Sequence, residues 1–160
     1  MILVILGTND KPFVRLIQAV EQAVKSGAIQ EEVIVQSGFT RYESDVLNII
    51  PYIDREEFAA KLAQADLVIT HGGAGTILTA LRQGKVVLAG ARKQAYGEHV
   101  NDHQTQLLEA FESSGYLIYM KDLNDITPYL EQAKSFIPKA YESSRDGMVR
   151  LIEDWIDTHL

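Results

Sequence analysis

Apolar positions along the chain keep two alternating rhythms, one continuous and one helical. Met1-Ile2-Leu3-Val4-Ile5-Leu6 is an unbroken aliphatic run stopped by Gly7-Thr8-Asn9-Asp10, which is how a strand buried on both faces reads. Phe13, Leu16, Ile17, Val20 and Val24 then recur at helical spacing up to Ser26-Gly27. Pro12 stands near the first turn, where a missing amide proton costs nothing. Val33 to Gln36 and Leu47 to Ile50 read as a second and a short third strand, stopped by Ser37-Gly38 and Pro51-Tyr52. Arg55 to Ala65, with Phe58, Ala59 and Leu62 on one face, reads as a helix, and Leu67 to Thr70 as a fourth strand. That strand runs directly into His71-Gly72-Gly73-Ala74-Gly75-Thr76. A helix from Thr76 to Gln83, a fifth strand from Val86 to Ala89, a polar loop from Gly90 to Gly97, a helix from Asn101 to Ser114 and a sixth strand from Tyr116 to Met120 complete the pattern.

Strands that alternate with helices pair in parallel through right-handed crossovers. The expected fold is therefore α/β, a single doubly wound, mainly parallel sheet of about six strands flanked by helices. Pockets in such sheets open at the carboxyl ends of the strands. The chain has 160 residues without a Pro, Gly or Ser tract to mark a linker, so one domain over 1–160 is expected.

Composition narrows the partners. With 15 Lys and Arg against 22 Asp and Glu, the formal charge is -7, which argues against nucleic acid, since phosphate backbones are held by dense basic surfaces. An anionic ligand has to be gripped locally. The absence of cysteine rules out disulfides, thiolate catalysis and thiolate metal sites, and fits a cytoplasmic setting. The six-residue opening run is far short of the roughly 20 residues of a membrane span.

Two constellations carry candidate chemistry. In His71-Gly72-Gly73-Ala74-Gly75-Thr76 the glycines let backbone approach a ligand closely, and the helix that follows offers free amide protons and a positive dipole end to a diphosphate. The alternative is a tight turn with no ligand. No Lys-Ser or Lys-Thr pair follows, so this is not a P-loop, and its place after the fourth strand makes it a poor dinucleotide fingerprint. The second is Tyr96-Gly97-Glu98-His99-Val100-Asn101-Asp102-His103-Gln104, at the same sheet edge. Its carboxylates, amides and imidazoles suit sugar hydroxyls, while Asn101 or Asp102 also suits a helix N-cap. His99, Asp102 and His103 are a minor metal hypothesis, and no metal site is assigned. Gly7, Thr8 and Asn9 face the cleft or merely turn the chain. Tyr52-Ile53 flanks a base ring or packs. Arg92 and Lys93 read as solvated surface charge.

Together these features resemble the carboxyl-terminal, donor-binding domain of GT-B glycosyltransferases of family 28, which includes the peptidoglycan N-acetylglucosaminyltransferase. They are most similar to small subunits that work in two-component enzymes of dolichol-linked N-acetylglucosamine transfer and of bacterial capsular and exopolysaccharide clusters. The resemblance runs from Met1 through the glycine loop to Gln104. It implies a UDP-sugar donor and no tightly bound cofactor. The base is expected near Tyr52 and Ile53. The diphosphate is expected at His71 and the loop of Gly72, Gly73, Ala74, Gly75 and Thr76, and the sugar near Asp102, His103 and Gln104, with Gly7, Thr8 and Asn101 as further donor-binding residues. Relatives carry an acidic residue for the ribose where this chain has Thr79, so Glu98 is expected to take over that duty and, with His71, to serve catalysis. It further implies a membrane-anchored partner subunit that binds a lipid-linked acceptor and recruits this chain to the inner face of the cell membrane. The stretch with Met148, Leu151, Ile152, Trp155 and Ile156 reads as an amphipathic helix that self-packs or docks there. The competing readings are a non-catalytic nucleotide-binding module and a hydrolase or epimerase acting on a UDP-sugar.

Overall fold

A computed structural model describes residues 1–141. The apolar segment around Trp155 lies outside the described residues. Six strands form one sheet: β1 (Ile2–Ile5), β2 (Val33–Gln36), β3 (Asn48–Ile50), β4 (Leu67–His71), β5 (Val87–Gly90) and β6 (Ile118–Tyr119). Every pairing is parallel and the order is β3-β2-β1-β4-β5-β6. Five helices flank it: α1 (Val14–Lys25), α2 (Arg55–Gln64), α3 (Ala74–Arg82), α4 (His103–Ser113) and α5 (Thr127–Ala133).

The aliphatic run of β1 is divided between two cores, as a strand of period two requires. Ile2, Val4 and Leu6 pack with Leu16, Ile17 and Val20 of α1 and Leu130 of α5. Leu3 and Ile5 pack on the other face with Leu62 of α2, Ile77 and Leu81 of α3 and Phe111 of α4. Both faces of the sheet are therefore covered, which is why its strands read as unbroken apolar runs.

Element boundaries moved where side chains had another use. The third helix begins at Ala74, two residues before the expected Thr76, so only Gly72-Gly73 makes the turn out of β4. The fourth begins at His103, because Asn101 folds back to accept the His103 N–H at 3.0 Å. The sixth strand is two residues long, not five. On α2, Leu62 is buried and Phe58 partly so, but Ala59 faces solvent. The N-terminus of α2 is held by the carboxylate of Asp54, which accepts from the Glu57 N–H at 2.9 Å, a standard capping contact.

The order reverses between β1 and β4. Chains leaving those two strands run to opposite faces, and the crevice between their carboxyl ends is where ligands bind in open α/β sheets.

Candidate functional site

A cleft of about 450 Å³ occupies that reversal point, lined among others by Gly7, Thr8, Gln36, Phe58, His71, Gly73, Gly75, Thr76 and Gln104. Strand β4 delivers His71 to its floor, and α3 aims its first turn at it. Gly73 stands at the N-cap of α3 and no side chain caps the helix. The amides of Ala74, Gly75 and Thr76 belong to the first turn, where backbone donors have no acceptor within the helix. A helix end in that condition favours an anion through its dipole and its free N–H groups.

His71 is 8% exposed, and its ring edge is wedged between two glycines. A Cβ on Gly73 would stand 2.7 Å from Nε2, and one on Gly7 would stand 2.8 Å from Cε1. Neither position has room for a side chain while the imidazole keeps this place. Gly7 also has φ +75°, a conformation glycine adopts without strain. Burial, then the nearby charges of Arg92 and His99, push the imidazole down to about 4, so it is neutral near pH 7.

Behind His71 lies a cation that no periodicity marked. Arg92, expected as a solvated surface charge, is 1% exposed. Its guanidinium donates to the carbonyls of Leu6, at 2.6 Å, and Lys11, and stacks on the Phe13 ring at 5.2 Å. It thereby binds the end of β5 to the loop after β1. Burial lowers its pKa, and Glu98 opposes that shift. The Phe13 amide is fixed in turn by Thr40 Oγ1 at 2.9 Å.

The second constellation divides. Gln104 reaches the cleft, but the other members do not line it. Glu98 is spent on protein: Arg15 of α1 grips it in a two-pronged pair at 2.7 and 2.9 Å, and the Lys93 N–H adds a third bond at 3.1 Å. The carboxylate is 5% exposed. Asp102 accepts from the Gln94 N–H at 3.0 Å, and Asn101 from the His103 N–H. His103 itself is exposed. Among the described residues no three His, Cys, Asp or Glu side chains are grouped to hold a metal.

Tyr52 and Ile53 sit at the end of β3, beside the cleft and not in its lining. Ile53 is buried and gives its N–H to Gln36 Oε1 at 3.0 Å, while the Tyr52 ring is 73% exposed. Thr79, on α3, turns its hydroxyl back onto the Gly75 carbonyl at 2.8 Å. Phe58 and Gln36 were missed as lining residues. Phe58 was already expected on the buried face of α2, and its partial burial is what brings it to the cleft.

The model of the glycosyltransferase family 28 C-terminal domain matches residues 1–154. The chain belongs to this family. The family 28 domain is thus what the glycine loop and the Asp102-His103-Gln104 cluster resembled. Among curated relatives, the UDP-N-acetylglucosamine transferase subunit ALG13 of Yarrowia lipolytica is 24% identical over 124 residues, 74% of this chain and 60% of that protein. The mouse protein of the same name is 34% identical over 79 residues, 49% of this chain and 6% of its own. The zeaxanthin glucosyltransferase of Pseudescherichia vulneris is 32% identical over 90 residues, 52% of this chain and 21% of its own. The chain therefore spans less than two thirds of the length of each.

Solved structures agree on the fold of this family 28 domain. The solution structure of ALG13 superposes with a TM-score of 0.61 at 17% identity, covering 94% of each chain. The MurG of Acinetobacter baumannii gives 0.57 at 18% identity, over 98% of this chain and 44% of that one. The doubly wound sheet is the GT-B architecture, and the kitacinnamycin glycosyltransferase superposes on it with a TM-score of 0.58 at 13% identity, over 99% of this chain and 39% of that one. No helix among the described residues is long and apolar enough to cross a membrane.

Proposed function

We propose that residues 1–160 form the donor-binding, catalytic part of a two-component glycosyltransferase that moves a hexose-type sugar from a UDP-sugar to a lipid-linked acceptor. The observation that carries this reading is the uncapped first turn of α3, with neutral His71 beside it, opening on a cleft at the reversal point of the sheet. The diphosphate lies on the amides of Ala74, Gly75 and Thr76 and receives a hydrogen bond from His71. The loop of Gly7 and Thr8 closes the other side. The base lies toward Gln36 and the exposed ring of Tyr52. Names of relatives support the donor class, since the Yarrowia protein is a UDP-N-acetylglucosamine transferase subunit.

In the reaction, negative charge grows on the leaving diphosphate as the sugar carbon departs. Donors already aimed at that charge stabilise the transition state more than the ground state. Helix amides and a buried imidazole N–H supply this without rearranging. Nothing tightly bound is required as cofactor.

A group to deprotonate the acceptor hydroxyl is a different matter. No carboxylate lines the cleft among the described residues, and an imidazole held at about 4 is a weak base. The base is therefore assigned to a membrane-anchored partner that binds the acceptor and brings this chain to the inner face of the membrane. The setting proposed is assembly of a bacterial surface polysaccharide.

Titration calorimetry with UDP tests the core of this reading. Binding by the wild type that falls at least tenfold in His71→Ala is expected, and no binding by the wild type sinks it. The same lack of a carboxylate favours one rival, a nucleotide-binding module without catalysis. Transfer from UDP-N-acetylglucosamine to lipid in membranes carrying the partner separates the two.

A further inference from the structure

Gln104 is the second residue of α4 and only 8% exposed. Its Oε1 accepts from two backbone amides at once, Gly72 at 3.1 Å and Arg92 at 2.9 Å. A backbone N–H can only donate, so the orientation of the carboxamide follows: oxygen toward the ends of β4 and β5, nitrogen toward His71. Nε2 of Gln104 lies 3.4 Å from His71 Nδ1. An amide NH2 has no lone pair to offer, so Nδ1 is the accepting nitrogen. The ring proton of a neutral His71 then sits on Nε2. That is the ring edge wedged between Gly7 and Gly73, two residues of the cleft lining.

We propose that Gln104 is a positioning residue: it locks His71 in the Nε2–H form, a neutral donor aimed at the oxygens of a nucleoside diphosphate. The inference rests on the reading of the cleft as a nucleotide site. It adds a duty to the expected contact with sugar hydroxyls: the carbonyl oxygen of Gln104 is taken by two backbone amides, while its NH2 group keeps a second N–H beyond the one turned to His71. The same amide ties the two strand ends together, so the tautomer of His71 is set by the register of β4 against β5.

A positioning residue fails even with a ligand that carries no sugar. Gln104→Met keeps the length of the side chain and removes its hydrogen bonds. It is expected to weaken UDP about five- to tenfold, as the donor on His71 loses its fixed aim. In a His71→Ala background it is expected to add nothing, since residues acting through one another are not additive. Loss confined to UDP-N-acetylglucosamine, or a full further loss in the His71→Ala background, overturns the proposal. Nitrogen-15 spectra of the imidazole are independent of any ligand: the wild type is expected to show the proton on Nε2 and a lone pair on Nδ1. In Gln104→Glu the carboxylate can only accept, and Nδ1 is expected to become protonated. A protonated Nδ1 in the neutral wild-type ring, or a His71 spectrum unchanged in Gln104→Glu, also overturns it. A wild type that binds no UDP while giving the expected spectra removes the nucleotide reading and leaves the lock standing as chemistry of the fold.

Discussion

Arg92 donates a 2.6 Å hydrogen bond to the carbonyl of Leu6, and through it the end of β5 holds the loop that follows β1. Arg92→Met keeps the bulk but leaves the carbonyls of Leu6 and Lys11 without that donor. Each unmet buried acceptor costs about 1–3 kcal/mol. Thermal unfolding is expected to fall by several degrees, given about 2–4 °C per kcal/mol at this size. A melting temperature equal to the wild type would contradict the bond.

Arg15 and Glu98 make a second such tie. Glu98→Gln is expected to destabilise by about 1–3 kcal/mol, since Arg15 is partly exposed and keeps some hydration. Affinity for UDP is expected to change less than about threefold, because Glu98 does not line the cleft. Calorimetry together with a denaturant titration reads both. A large loss of affinity in a folded variant would restore Glu98 to the site.

Gly73→Ala places a methyl group against the His71 ring. The backbone there has φ -78°, which alanine adopts freely, so the cost falls on the imidazole and not on the chain. Affinity for UDP is expected to drop about tenfold or more while the melting temperature moves by only a few degrees. Unchanged binding would mean that the ring does not stand against Gly73.

Acid should weaken the fold through the same histidine. Unfolded, His71 takes its proton at its ordinary value of 6.5; folded, only at about 4. Between those values the unfolded chain holds more protons, so stability is full above pH 6.5 and declines as pH falls toward 4, by up to roughly 3 kcal/mol. His71→Asn is expected to flatten that part of the profile in denaturant titrations from pH 7 to 4. An identical slope in both proteins would dismiss the shift.

Much of this architecture was legible because buried parallel strands leave unbroken aliphatic runs, as Met1 to Leu6 shows, and because glycines stop helices where the pattern stops. The glycine loop was legible for a related reason: three glycines within four residues of a strand's end exceed what turning needs, and two of them, Gly72 and Gly73, make the turn while Gly75 falls in the first turn of α3. The fates of Glu98 and Arg92 were not. Their partners, Arg15 and the Leu6 carbonyl, lie 83 and 86 residues away, and only the closed sheet brings them together. Helix α5 (Thr127–Ala133) was also unassigned, although Pro128 in its first turn is the kind of start signal that marked Pro12. Gln104 shows the limit from the other side. Its place in a polar cluster pointed to a ligand, but its bonds to Gly72, Arg92 and His71 depend on how far β4 and β5 extend.

The bare N-terminus of α3 gives the domain an unequal thermodynamics. No N-cap side chain finishes the first coil of that helix or of α1, but that of α3 opens on the cleft. An anion that docks there completes secondary structure as well as filling a cleft, and mass action turns its concentration into melting temperature, about 2.7 kcal/mol at a hundredfold excess over Kd. If the proposed diphosphate docks there, the domain is expected to be harder to unfold the richer its surroundings are in that anion.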